Sequence, residues 1–484
     1  MAVADLDLTR APERADLRLR GWRLASLFAA LGVLLHLPGL LRTDVLNPDE
    51  GFLATQANVL NAGGQLYHQV VDRKPPLVPL LYATTFKLVG TDSLLSVRLL
   101  AVVAHVVAAI LLAAIARRRW SDVAGVAAGL LYLVASVGFL PADGQAANFE
   151  VFMVPFTCAA IYLASRERTP GSGSSAMAAL ATLAKQVGGA TMLPVAWWAW
   201  KRDGRRGLLT AVLWFAAPIA AAALWFGVHD FFTWVLNDSN GYLDPSGSWF
   251  VSFRRGVVWT LIFVAANLGA AMLLAPAWLR RRDDIDLWLW LLGAAVGVSA
   301  GLRFFGHYYL QLAPPMVLLA AGALHHAKPV VWARTALLGT LSVIVFLAIA
   351  VTTEPAILRP VDRLTAAIDA RSTATDTIFV WGEVPQLYWT AHRTPATRFL
   401  TVGFLTGYSG GRADTRIGEQ YAVDDAWADL QADLATHPPT LIVDESPGTP
   451  FPLSRFPTMQ RYLLENYHPV AIVDGAVLYA RGSA

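Results

Sequence analysis

Apolar runs recur along this chain from residue 24 to residue 351, separated by short polar loops, and a soluble fold has no core large enough to absorb them all. The runs are 24–41, 94–116, 123–140, 149–164, 174–184, 187–200, 208–227, 256–279, 287–302, 308–325 and 330–351. Composition agrees. Of the 484 residues 55% are hydrophobic and 15% charged, where soluble domains carry about 25% charge. The chain reads as an integral membrane protein, and membrane lipids are its first expected partner. The formal charge of +3 comes from basic residues in loops between apolar runs, not on one face, so nucleic acid is not an expected partner. Cys158 is the single cysteine and lies in an apolar run, which excludes disulfides and cysteine-based metal sites.

Lys and Arg in short loops set orientation. Basic clusters fall at residues 10–23, Arg117-Arg118-Arg119, Arg166 with Arg168, Lys201-Arg202 with Arg205-Arg206, Arg280-Arg281-Arg282, and Lys328 with Arg334. All share one side if segment 77–89, which follows Pro75 and Pro76, lies in the outer interface instead of crossing. With 174–184 and 187–200 as two short spans, the count closes at about eleven. The N-terminal tail, 1–23, is then cytoplasmic, and domain 24–351 is the membrane part. The weak point of this topology is the short pair; one long span there flips every later loop.

The outward loops hold Asp49, Glu50, Lys74, Asp143, Glu150, Lys185, Asp238, Asp244, Arg254, Arg255, Arg303 and His307. Charged groups near hydrocarbon are costly, and several gathered on one side mark a site. Residues 352–484 lack a run long enough to span. Strand-like 377–382, 441–444, 470–473 and 476–479, with a helix over 459–466, predict a small extracytoplasmic α/β domain.

Asn47-Pro48-Asp49-Glu50 sets adjacent carboxylates shortly before Arg73-Lys74-Pro75-Pro76, a basic pair stiffened by prolines. Carboxylates serve as a general base or hold a metal, and a basic pair holds phosphate. Asn148-Phe149-Glu150 opens the fourth apolar run, and Lys185-Gln186 lies at the turn of the short pair. Arg303-Phe304-Phe305-Gly306-His307-Tyr308-Tyr309-Leu310-Gln311 is followed by Pro314-Pro315, and the tail holds Trp381-Gly382-Glu383 with Pro385 and Tyr388. As an ensemble these residues resemble the GT-C superfamily of polytopic glycosyltransferases. The branch they resemble is that of the bacterial protein O-mannosyltransferases and aminoarabinose transferases.

The resemblance implies inverting transfer of one sugar from a polyprenyl-phosphate donor to a glycan, lipid or protein acceptor on the outer face of a bacterial cell membrane. Asp49 matches the family's loop-one Asp and is the expected base, or the metal-assisted partner of one. Glu50 is then an acceptor-positioning group or metal ligand, because adjacent carboxylates diverge in an extended loop. Lys74 matches the donor-phosphate position, Arg303 offers a second, bidentate contact, and His307 or Tyr308 a hydrogen bond to the same group. Lys185 is a further donor-side cation if the short-helix topology holds. Asp143 and Glu150 flank the second acidic loop, and either is the family's acidic residue. Asn148 binds there or caps the following helix. The carboxylates suit Mg²⁺ or Mn²⁺, though no spacing is diagnostic of a metal. His36 and His105 are expected to be structural, as are Trp381, Tyr388 and Trp389, which otherwise offer sugar-stacking faces. The alternative class is a polytopic transporter or flippase of lipid-linked sugars. Such a protein favours matched halves and midplane charges, which this sequence does not display.

Overall fold

The structure, a computed structural model of the protein, describes residues 21–482 except 167–170, 238–247, 355–357, 409 and 411–414. Most of the expected cytoplasmic tail, and Asp238 and Asp244, lie outside the described residues. Among the described residues six helical stretches are long and apolar enough to cross a membrane: Gly21–Leu40, Leu94–Arg119, Gln186–Phe226, Trp249–Ala266, Ile285–Leu302 and Pro329–Thr352. Shorter apolar helices, among them Asp122–Ser136, Phe149–Ala164 and Gly173–Ala184, pack between them. Large apolar side chains such as Leu209, Leu213, Leu337 and Ile344 stand exposed on the outer helices, as residues facing lipid do.

The short pair is two helices: Gly173–Ala184 ends at Lys185 (φ −157°, ψ 134°), and a Cβ on Gly188 would meet the Ala181 carbonyl at 2.4 Å, so the chain turns back there. A second reversal follows. Helix Met192–Phe226 is interrupted at Asp203 (φ −139°, ψ 20°) and Gly204 (φ 52°, ψ −131°). A Cβ on Gly207 would meet the carbonyl of Ala199 at 2.3 Å, and one on Gly189 would meet the ring of Phe215 at 3.7 Å. The two limbs therefore run back along each other. Their turn carries Lys201, Arg202, Arg205 and Arg206, and Lys185 stands at the other end of the first limb. This is the parity that the basic clusters require.

Loop one is more ordered than expected. Asn47 caps helix Pro48–Asn61, its side chain accepting from the Asp49 amide at 3.1 Å, with Pro48 at the first helical position. Asp49 and Glu50 therefore sit on a helical first turn, which corrects the extended-loop reading. Leu77–Val89 is the expected short helix, with Leu88 and Val89 exposed and Tyr82 buried.

Beyond Thr352 the chain builds a five-stranded sheet of order β2-β1-β3-β5-β4. The strands are β1 Thr377–Trp381, β2 Thr394–Pro395, β3 Leu441–Asp444, β4 Tyr467–Val473 and β5 Ala476–Arg481. The β1 pairings with β2 and β3 are parallel; β5 pairs antiparallel with β3 and β4. Its core extends into loop one through Leu66, Tyr67, Val70 and Val71, and into the helical part through Phe231, Trp234 and Val235. Trp381 donates to the Phe451 carbonyl (3.2 Å), the Tyr388 hydroxyl accepts from the Val380 amide (2.9 Å), and Trp389 donates to the Asp92 carbonyl (3.0 Å). All three rings are buried.

Docking is close. A Cβ on Gly51 would fall 2.3 Å from the Gln386 side chain, so only glycine lets residues 385–386 lie on helix Pro48–Asn61. The Thr55 hydroxyl donates to the Pro385 carbonyl there at 3.2 Å.

Candidate active site

Glu50 is fully buried and faces Arg98, an arginine in helix Leu94–Arg119. The guanidinium grips both Glu50 oxygens at 2.8 and 2.7 Å, and donates to the carbonyls of Gly39 (2.9 Å), Arg42 (2.7 Å) and Asp44 (2.6 Å). Glu50 also accepts from the amides of Leu46 and Ala147, each at 3.0 Å. Every guanidinium N–H is used, and the pair ties helix Gly21–Leu40, loop one and the second outward loop together.

Above this lock, the outward loops and the C-terminal domain enclose a cavity of about 630 Å³. Asp49, Asp72, Lys74, Asp143, Lys185, Arg255, His307 and Tyr308 line it, with Arg73 and Glu383 at the C-terminal-domain side. None of the basic clusters assigned to the opposite face lines it.

His307 is the hub of the carboxylates. Its Nδ1 lies 2.8 Å from Asp143 Oδ1 and its Nε2 lies 3.6 Å from Asp49 Oδ2. Burial opposes charging the ring, but Glu150, the Asp143 hydrogen bond and the charges of Asp143 and Asp49 outweigh it, and the imidazole pKa is raised. Asn47 donates a second hydrogen bond to Asp143 at 3.3 Å. A Cβ on Gly306 would stand 2.4 Å from Asp143 Oδ2 and 2.6 Å from Trp259, so a bare backbone is needed where His307 meets the carboxylate. The side chain of Asp49 is 41% exposed, which leaves it open to a ligand in the cavity.

Lys185 is buried, ion-paired to Glu150, and has its ammonium 3.8 Å from the Tyr308 ring centroid. Burial lowers its pKa against the pull of Glu150. Lys74 lies on a turn where its amide donates to Asp72 Oδ1 (3.0 Å) and its carbonyl accepts from the Tyr67 hydroxyl (2.9 Å). Burial raises the Asp72 carboxyl to about 7 despite Lys74 and the Gln56 hydrogen bond.

The structure thus brings Asp49, Lys74, Asp143, Lys185, His307 and Tyr308 to one cavity. It turns Glu50 away, into the Arg98 lock. Glu150 reaches the cavity only through Lys185 and His307. Asn148 is buried at the start of Phe149–Ala164 but makes no side-chain cap, and its amide oxygen and nitrogen have no hydrogen-bond partner among the described residues. Arg303 is fully buried, flanked by positive φ at Leu302 (55°) and Phe304 (48°), and donates to the Gly410 carbonyl of the C-terminal domain. Arg255, 4.6 Å from the Phe305 ring centroid, lines the cavity where Arg303 does not. Its place in an outward loop is legible; its selection over Arg303 is not. Arg98 was detectable as a lone charge in an apolar run, which must find a partner. Among the described residues no three His, Cys, Asp or Glu side chains group as a metal site. Both oxygens of Glu50 are held by Arg98, so Asp49 and Glu50 do not fit an Mg²⁺ or Mn²⁺ ion shared by the two.

The helical membrane bundle thus gathers carboxylates and cations in one cavity under a small α/β domain. Residues 73–227 match the family described as dolichyl-phosphate-mannose-protein mannosyltransferase. The structure of ArnT from Cupriavidus metallidurans is similar (TM-score 0.61, 14% identity, covering 96% of this chain and 99% of that one). So is the oligosaccharyltransferase AglB from Archaeoglobus fulgidus, solved with an inhibitory peptide and a dolichol-phosphate (TM-score 0.52, 12% identity, 96% and 74% covered). A comparison with curated proteins gives no match. The family match covers residues 73–227, and the fold of nearly the whole chain is the one that ArnT and AglB share.

Proposed function

We propose that the protein transfers one sugar from a polyprenyl-phosphate-linked donor to a cell-envelope glycan, lipid or protein, with inversion, at the extracytoplasmic face of a bacterial cell membrane. The observation that carries this reading is the single cavity in which the exposed Asp49 carboxylate shares a wall with Lys74 and Arg255. Asp49 accepts the proton of the acceptor nucleophile as that atom bonds to the anomeric carbon. The carbon–oxygen bond to phosphate breaks, and the phosphate leaves with the electron pair. Lys74 and Arg255 stabilise the charge that develops on it, in a site partly shielded from water. His307, held by Asp143, fixes the position of Asp49, and the Lys185–Glu150 pair supports Tyr308 behind it.

The dolichol-phosphate in the AglB complex supports a lipid-phosphate donor, and the basic clusters at the far ends of the helices support the outward orientation. No step needs a metal.

The test is reconstitution in lipid vesicles with a panel of radiolabelled polyprenyl-phosphate sugars. Wild type is expected to release polyprenyl phosphate from at least one donor, and Asp49→Asn and Lys74→Ala to abolish the release. Release that persists in Asp49→Asn moves the base to Asp143. Neither turnover nor binding of any donor overturns the reading in favour of transport.

A further inference from the structure

Glu383 belongs to the C-terminal domain, just after β1, yet it lines the cavity. Its Oε1 is shielded from solvent and has no hydrogen-bond partner among the described residues. Burial pushes the carboxyl up to about 8 against the pull of Arg73 and the Gly403 amide. Arg73 itself is stacked 4.2 Å from the Phe404 ring centroid and donates to the Gly403 carbonyl at 3.4 Å. A Cβ on Gly403 would stand 3.4 Å from Glu383 Oε1 and 3.5 Å from Arg73 Nη1.

The contrast with Glu50 is informative. A carboxylate that only holds elements together has its oxygens saturated, as Glu50 has. Glu383 keeps one oxygen open on a cavity wall, where an unmet buried acceptor is costly and a ligand donor removes that cost. Beside it stand the apolar faces of Phe52, Pro385, Phe404 and Tyr408. A carboxyl among such faces gives a lipid tail no polar match. It suits a ring with hydroxyls on its edge and C–H groups on its face.

We propose that Glu383 is a specificity-determining residue that hydrogen-bonds a hydroxyl of the sugar ring held in the cavity, so that the C-terminal domain takes part in choosing the substrate. This rests on the glycosyl-transfer reading above. The ring is that of the donor or of a sugar acceptor; the chemistry is the same, and the test separates them.

The experiment uses the full-length protein in vesicles, with the polyprenyl-phosphate sugar that wild type turns over. Monodeoxy analogues of that donor sugar and of the acceptor are measured with wild type, Glu383→Gln and Glu383→Ala. Wild type is expected to reject one deoxy analogue. Glu383→Ala is expected to raise KM for the parent sugar about tenfold or more, the scale of a hydrogen bond to a charged or strongly polar group. It is also expected to lose discrimination against that same analogue, and whether this is a donor or an acceptor analogue identifies the ring. Glu383→Gln, of the same shape, is expected to keep part of the discrimination and supplies the answer if the alanine variant does not fold. Unchanged KM and unchanged rejection in a folded variant overturn the proposal, as does an equal loss on every analogue, the mark of a purely structural role. Failure of wild type to turn over any donor instead overturns the transfer reading, and this proposal with it.

Discussion

Beneath the cavity, Glu50 is locked to Arg98 with every charged atom bonded; one residue earlier, on its wall, Asp49 is 41% exposed, with His307 Nε2 3.6 Å away. The two carboxylates share a helical turn, and their side chains leave the axis about 100° apart. One therefore points into the protein and the other into the cavity. The difference teaches that adjacent carboxylates divide their work by direction: saturation marks the architectural one, incomplete pairing the chemical one.

The sharpest way to break this comparison is Glu50→Ala. It leaves Arg98 charged and buried without its counter-ion, a change of about 3–5 kcal/mol, and is expected to abolish the folded protein or cut its melting temperature severely. A thermal melt in detergent decides it; a stable, inactive variant would return Glu50 to the chemistry. Asp49→Asn is expected to do the reverse. Loss of a general base costs about 10²- to 10⁴-fold in turnover, while stability stays within about 0.5 kcal/mol, as for exposed substitutions.

Gly51→Ala, on the same helix, tests the docking of the C-terminal domain. The added methyl collides with Gln386, and overpacking of this kind costs about 1–3 kcal/mol. Limited proteolysis is expected to release the domain more readily, with the Glu50 lock intact.

A pH dependence sharpens the comparison from the C-terminal domain. Glu383 rises from an ordinary 4.5 to about 8 in the folded protein, so the folded state holds a proton that the unfolded chain gives up. Its contribution is full below 4.5 and is lost as pH rises to 8. The melting-temperature difference, Glu383→Gln minus wild type, is therefore expected to grow steadily from pH 5 to pH 8. A flat difference would show that Glu383 is not held protonated.

Much of the site was legible because its residues lie in loops that topology alone sends to one side. Asp49, Lys74, Asp143, Lys185 and His307 meet in one cavity, as charges in outward loops of a membrane protein should. The division of labour between them was not legible. Arg303 was expected to contact the donor phosphate, but its guanidinium is bonded to Gly410, more than a hundred residues later in sequence. Glu50 was expected to position the acceptor or hold a metal, but helix Leu94–Arg119 supplies Arg98, which takes both its oxygens. Glu383 lies in a motif of the tail, and nothing near it in sequence says that it reaches the membrane cavity.

The sequence by itself determined that the chain crosses a membrane many times, which face carries the charges and that a small α/β domain follows. Apolar length, loop charge and strand alternation are local properties, and each is enforced by solvent or lipid acting on a short segment. Only the tertiary structure decided which carboxylate is saturated, which arginine faces the cavity and that the C-terminal domain closes its wall. Those outcomes depend on partners distant in sequence, and burial counts the bonds each charge can make only after the chain has brought them together.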